Sequence, residues 1–384
     1  MEQLTATRDE LVDAARALAP VVRERGPRAD AERKLPEETV EDFKRLGIVR
    51  SVQPKRFGGM QHDVEVLHDL SMEVARGDGA SGWLASFMGI HQLMAGWFSL
   101  EAQEEYWANG IHTLSSTVAG MSMAREEIDG GIRLSGRGRF SSGIDYAEWL
   151  ILTTNFETCL IPRSDFEIID DWHVHGLQGT GSKGLMIEDA FVPRHRIVTH
   201  EQMVQGSYPG AALHDAPWYR VRSPWAVLGH AILAPVIGMA QGVLDIFDER
   251  ARERIDPMAL EPAVERPGPQ LRFAEASAEV EAARLLMRQN LAVVRASGET
   301  RQPLPIEARA EIRRNIVYAA KLAIQATNRL VDGMDSSALY QNNFLHRQAR
   351  DVRAGALQFV LHWEETAIQY SRVHWGLEPN TPLI

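Results

Sequence analysis

Apolar positions recur at steps of three and four from Thr7 to about Gly110, and Leu11, Ala14, Ala15, Leu18 and Val22 mark the first such face. Pro36-Glu-Glu-Thr-Val opens a second helix, with proline and acids in its first turn. Asp63 to Arg76 and Ser81 to Trp97 read as two more helices. The last is apolar nearly all round, which predicts a buried helix. From about Ile111 to Val198 the period shortens to that of strands. The runs HTLSSTVAG, GIRLSGRGRF, EWLILTTNF, DFEIIDDWHV and GLMIEDAFVP are cut by glycines and aspartates, as in an antiparallel β-domain. Asp129-Gly130-Gly131 is a hairpin turn signal. The helical period returns in four long stretches, roughly 223–254, 268–297, 305–333 and 344–373, broken at Asp256-Pro257, Pro267-Gly268-Pro269, Gln302-Pro303-Leu304-Pro305 and the polar DGMDSSALYQNN. Four such helices in a row predict an up-and-down bundle. The expected chain is α+β, with a helical domain over 1–110, a β-domain over 111–215 and a four-helix bundle over 216–384.

Composition narrows the function. Lys+Arg 41 against Asp+Glu 52 leaves a net charge of −11 over 384 residues. A chain of this balance lacks the basic face of a nucleic-acid binder and the polybasic anchor of a membrane-surface protein. The single cysteine, Cys159, rules out an intrachain disulfide framework and a multi-thiolate metal site. It reads as lying in a β-turn. The first residues carry no basic segment followed by an apolar one, so a cytoplasmic location is expected. The most apolar stretch, Ala226 to Leu244, contains His230, Pro235 and Gln241 and reads as a buried helix rather than a membrane span.

Three motifs are misleading. Gly179-Thr-Gly181-Ser-Lys-Gly184 matches G-x-G-x-x-G, but the residues after it, LMIEDAFVP, read as a strand rather than a helix. A glycine-rich turn is the better reading. The order Gly-Ser-Lys also departs from the Gly-Lys-Ser/Thr of a phosphate-binding loop. His173 and His175 share a strand face, but no third ligand stands at metal spacing.

Several phrases occur together in one order: QPKRFGGM (53–60), DGASGWLASFMGIHQ (78–92), TLSSTVA (113–119), LSGRGRFSSGIDYAEW (134–149), DDWHVHGLQGTGSKG (170–184), FVPRHR (191–196) and HRQARDVRA (346–354), with His362 behind them. In this order the chain resembles the acyl-CoA dehydrogenase fold, and more closely its flavin-dependent monooxygenase branch. That branch comprises the oxygenase components of two-component systems. The resemblance implies helices, then a β-barrel-like domain, then a four-helix bundle, assembled as a homotetramer. It also implies reduced FMN, or FAD, delivered by a separate NAD(P)H-dependent reductase. With O2 such a flavin forms a C4a-(hydro)peroxide that oxygenates an aromatic, and here phenolic, substrate. That intermediate must be kept dry and hydrogen-bonded.

By the same resemblance, Ser142 in Phe140-Ser-Ser-Gly corresponds to the residue at flavin N5, although a serine before glycine also reads as a turn residue. His362, in QFVLHWEET on the last bundle helix, corresponds to a proton donor near C4a. His91 corresponds to the histidine that binds or deprotonates the phenol. A lone histidine on an apolar helix face is otherwise a core residue. Ser115, Ser116 and Thr117 correspond to the strand along the flavin pyrimidine. Phe140, Ser141, Trp172, Thr180 and Ser182 correspond to flavin-binding positions, with core packing the other reading for Trp172. Arg272, Arg347, Arg350 and Arg353 are candidates for the flavin phosphate, or for a solvated face, with a neighbouring subunit as one source. The pocket lining is expected to include Phe87, Trp225 and His230.

A true acyl-CoA dehydrogenase needs a carboxylate base, in most of that family within a Tyr-Glu-Gly phrase. FVLHWEETAIQY has none, though Glu364 and Glu365 stand nearby. The remaining alternatives are an N- or S-oxygenase of the same fold and a non-catalytic helical scaffold.

Overall fold

The computed structural model describes residues 6–255, 260–334, 336, 340 and 343–381; the predicted Asp256-Pro257 break and half of the DGMDSSALYQNN connection lie outside them. The first helix, α1 (Arg8–Glu32), is started by a capping box between Thr7 and Glu10 and runs on through Pro20 and Pro27. It is followed by α2 (Glu37–Arg45), α3 (Val64–Gly77), α4 (Gly79–Ala95) and α5 (Leu100–Tyr106). Every residue of α4 except Phe87 is buried, as its uninterrupted apolar pattern predicts.

Among the described residues, eight strands form two sheets. One has the order β1 (Ser115–Ala119), β4 (Trp149–Thr153), β5 (Glu157–Pro162), β8 (Ile197–Thr199). The other has the order β2 (Ala124–Ile128), β3 (Gly131–Ser141), β7 (Lys183–Pro193), β6 (Glu167–Ile169). The Asp129-Gly130-Gly131 signal makes the β2–β3 hairpin, with Ile128 opposite Gly131 and Gly130 at positive φ. Two expectations need correction here. The β-domain is not wholly antiparallel, because β1 pairs parallel to β4, with Ser115 opposite Trp149. The β2–β3 excursion into the other sheet separates the two strands and gives the chain length enough to return in the same direction. Cys159 sits inside β5 rather than in a turn, fully buried opposite Leu152. Burial raises its thiol well above the usual range, so it is inert.

After α6 (His200–Gln205) come α7 (Pro224–Glu253), α8 (Pro267–Thr300) and α9 (Ile306–Val331). α7 is long and apolar enough to cross a membrane, yet 89% of its most apolar window is buried inside the fold. The fourth bundle stretch is not one helix. It breaks into α10 (Phe344–Ala356), a 3-10 turn at Phe359–Leu361 and α11 (Trp363–His374). Gln358 adopts an extended conformation and its side chain accepts the Val360 N–H, so the turn is capped and the helix cannot continue. Val360 and Leu361 go inward while Leu357 and Phe359 stay exposed.

Three sequence textures thus fold onto two cores. α3 and α4 pack on α7, and one apolar cluster runs from α1 through the bundle. The β-domain holds a second, smaller cluster of Val118, Ile132, Leu134, Leu150, Leu152, Ile161, Leu185 and their neighbours. The candidate site lies where α4 meets β1 and the β-domain turns.

Candidate active site

Trp83, Phe87 and His91 follow one another at four-residue steps and so share one face of α4. Trp83 and Phe87 stack at 5.1 Å, and Phe87 meets the His91 ring edge-on at 5.7 Å. This face looks onto β1 and onto the turn after β3. Ser116 Oγ donates to the Ser142 carbonyl at 2.7 Å and lies 2.7 Å from Ser141 Oγ. Gly143, at φ +69°, donates its N–H to the Thr180 carbonyl at 2.9 Å, which ties the turn to the 178–180 segment.

His91 is fully buried, and its Nδ1 lies 2.7 Å from the Ser115 carbonyl. A carbonyl only accepts, so Nδ1 carries the proton and donates. Nε2 is therefore the lone-pair nitrogen, and it is buried with no hydrogen-bond partner among the described residues. Burial holds the ring's pKa down to about 4, against the opposing pull of the Ser115 contact. The imidazole is neutral at pH 7, with one acceptor waiting. Behind it the Tyr106 hydroxyl lies 2.8 Å from Ser115 Oγ, and burial raises that phenol's pKa.

The edge of the assembly is aromatic and partly open. Phe140 sits at φ +64° and is 71% exposed, an unusual place for a large apolar side chain with a β-carbon. Its ring meets Trp172 edge-on at 6.1 Å, and Trp172 Nε1 donates to the Gln178 carbonyl at 3.1 Å. Two adjacent aromatics, one exposed and one half-buried, beside buried hydroxyls suit a planar heteroaromatic ring with polar edges. Residues 178–184 form a turn leading into β7, as the strand-like sequence predicts. A side chain at Gly179 would stand 2.8 Å from the Ala29 β-carbon, and Gly181 is at φ +52°. These glycines serve close packing and turn geometry rather than phosphate binding.

Trp83 was not among the predicted site residues, although the S-G-W phrase contains it. Its Nε1 donates to Ser142 Oγ at 3.1 Å across 59 residues of sequence. The four-residue spacing to Phe87 and His91 was the signal that could have found it.

No described contact joins the other predicted residues to His91 or Ser142. His230 is fully buried on α7, its Nδ1 2.7 Å from the Ala226 carbonyl and its ring 6.3 Å from His68. Burial lowers its pKa to about 4, and its Nε2, like that of His91, is buried with no hydrogen-bond partner among the described residues. Trp225 instead lines a separate cleft of about 160 Å³ with Met203, Arg222 and Arg313. His362 is not inside a helix but precedes α11, exposed, with Nε2 3.3 Å from the Leu357 carbonyl. Arg347 is 4% exposed and lies 3.6 Å from the buried Asp78. Arg350 is half-buried on α10, where its carbonyl packs on Gly176, and the exposed Arg353 donates to Asn328 at 2.9 Å. Arg272 packs along Gly333, beside a cleft of about 310 Å³ lined by Arg254, Arg266 and Gly268. Asp351, not predicted at all, is buried on α10 and accepts the Leu177 N–H at 2.6 Å. His173 and His175 are exposed, and among the described residues the one histidine–carboxylate group close enough for a metal is Glu101, Glu105 and His195.

Comparison with known proteins decides the family. The flavin-dependent monooxygenase oxygenase subunit HsaA of Rhodococcus jostii (strain RHA1) is 33% identical over 373 residues, 94% of this chain and 97% of that protein. The chain belongs to the oxygenase subunits of flavin-dependent monooxygenases. It is an enzyme of the acyl-CoA dehydrogenase fold, and residues 230–363 match the family model described as acyl-CoA dehydrogenase, C-terminal domain. The crystal structure of 3-HSA hydroxylase from Rhodococcus sp. RHA1 superposes with a TM-score of 0.93 at 31% identity, covering 98% of this chain and 100% of that one. The oxygenase component of p-hydroxyphenylacetate 3-hydroxylase from Acinetobacter baumannii is 27% identical over 97% of this chain and 91% of its own length.

Proposed function

We propose that this chain is the oxygenase component of a two-component monooxygenase that takes reduced FMN from a separate NAD(P)H-dependent reductase and hydroxylates a phenolic ring with O2. The observation that carries this reading is the neutral, buried His91, whose bare Nε2 awaits a donor. A phenol O–H is such a donor, and the flat Phe87 ring beside it suits an aromatic substrate.

Reduced flavin would supply the two electrons that activate O2. Phe140 and Trp172 would flank its ring, and Ser142 would face N5. Ser115, Ser116, Thr117 and Ser141 would line the polar edge. His91 accepts the hydrogen bond of the phenol and holds its ring carbon in place. The stacked Trp83 and Phe87 exclude water from the same space. For the dehydrogenase alternative, Glu364 and Glu365 are exposed in the first turn of α11 and join neither His91 nor Ser142 through any described contact.

A homotetramer is part of the proposal. Leu271, Leu285 and Val293 fall on one stripe of α8 and are 64%, 55% and 41% exposed. Leu357, Phe359, Trp375 and Leu377 add a second exposed apolar group near the C-terminus.

The test is turnover of 4-hydroxyphenylacetate and other phenols with an NADH-driven flavin reductase held behind a dialysis membrane that passes FMN. Hydroxylated product on the oxygenase side supports the proposal. No product, even with FMN reduced chemically, refutes it.

A further inference from the structure

The S-G-W, F-S-S-G and G-T-G-S phrases meet in one string of hydrogen bonds. Trp83 Nε1–H donates to Ser142 Oγ at 3.1 Å. Ser142 Oγ lies 2.8 Å from Ser182 Oγ, and Ser182 Oγ lies 2.7 Å from Thr180 Oγ1. Thr180 Oγ1 donates to the Leu177 carbonyl at 2.8 Å.

Both ends of this string are chemically fixed. An indole N–H only donates and a carbonyl only accepts. Each hydroxyl between them has a single proton. The Thr180 proton goes to Leu177, so the Ser182 proton goes to Thr180 and the Ser142 proton goes to Ser182. Reversing any one of them would set two lone pairs face to face at less than 3 Å. Ser142, Ser182 and Thr180 are 8%, 5% and 1% exposed, so bulk water does not relieve such a fault. The far end is anchored as well. Leu177 sits at φ +55°, its N–H is held by the buried Asp351 at 2.6 Å, and its carbonyl also accepts from Trp172 Nε1 at 3.3 Å.

We propose that this string leaves Ser142 as an acceptor only, and that the site thereby selects reduced over oxidised flavin at N5. The inference rests on the reading that Ser142 faces N5. Reduced flavin carries a hydrogen on N5 and would donate it to the remaining Ser142 lone pair. Oxidised flavin presents a lone pair at N5, which would meet another lone pair. Selectivity then arises from a repulsion built against the wrong redox state. Trp83, Ser182 and Thr180 are positioning residues that act through Ser142.

The experiment titrates flavin-free protein with oxidised FMN in air and with photoreduced FMN under anaerobic conditions, and compares the two dissociation constants. Wild type binds reduced FMN more tightly. Ser182→Ala removes the acceptor of the Ser142 proton, which is then free to turn toward oxidised N5. Binding of oxidised FMN tightens and the reduced-over-oxidised preference falls about tenfold. Thr180→Val reaches the same end by another route, since Ser182 then turns its proton to Ser142 and frees that of Ser142. A damaged fold weakens both flavin states together, so a gain for the oxidised state is not produced by misfolding. A wild-type preference for reduced FMN that both variants keep unchanged overturns the string alone. A wild type that binds neither state overturns the functional reading along with it.

Discussion

Acid should unfold this protein through its buried histidines, and His68 offers the cleanest view of that. His68 and His230 are fully buried with ring centroids 6.3 Å apart. Neither ring nitrogen of His68 has a hydrogen-bond partner among the described residues. Burial, with a smaller contribution from His230, lowers the His68 pKa from 6.5 to about 3. The unfolded chain therefore binds a proton that the folded chain refuses as pH falls below 6.5. The stabilisation is complete above that pH and is lost as pH drops toward the folded value. Between pH 7 and pH 5 the loss from His68 alone is about 2 kcal/mol, at 1.36 kcal/mol per pH unit once the unfolded imidazole is charged. His68→Leu removes the titrating group and two buried polar atoms at little change in volume. Urea unfolding at pH 7 and pH 5 should show the variant losing about 2 kcal/mol less than wild type over that interval. An equal loss in both proteins would refute the assignment of acid sensitivity to this site.

Other perturbations separate packing from chemistry. Gly179→Ala places a β-carbon 2.8 Å from Ala29 and 3.0 Å from Ala80, and should cost about 1–3 kcal/mol in thermal or urea unfolding. His91→Ala should weaken phenol binding at least about tenfold while leaving FMN binding within about twofold, as read by separate titrations. His362→Ala tests the proton-donor role that the resemblance implies: a rise in the hydrogen peroxide released per NADH oxidised supports it, and unchanged coupling at saturating phenol removes His362 from the reaction.

Local signals carried most of the fold. The Asp129-Gly130-Gly131 turn and the unbroken apolar run of α4 act within a few residues, and each marks its element correctly. What the sequence hid depends on partners far along the chain. The parallel pairing of β1 with β4 joins strands separated by a hairpin of the other sheet. The break between α10 and α11 escaped notice because Phe359, Val360 and Leu361 keep an apolar texture while the backbone turns. The site was legible as phrases rather than as contacts. Ser142, His91, Phe87, Trp172 and Ser182 gather around α4, β1 and the 178–184 turn. Trp83 and Asp351 emerge only in three dimensions, since their polar partners lie 59 and 174 residues away. His230 shows what an apolar helix face conceals, because the second buried histidine that its ring meets at 6.3 Å, His68, lies on another helix.

The central claim is that reduced flavin and O2 meet a phenol in this site. The most direct measurement supplies flavin-free protein with chemically reduced FMN, 18O2 and a panel of phenols led by 4-hydroxyphenylacetate, and reads the products by mass spectrometry. The expected product is a hydroxylated phenol carrying one 18O atom. Recovery of 18O only in hydrogen peroxide, with every phenol returned unchanged, would contradict it.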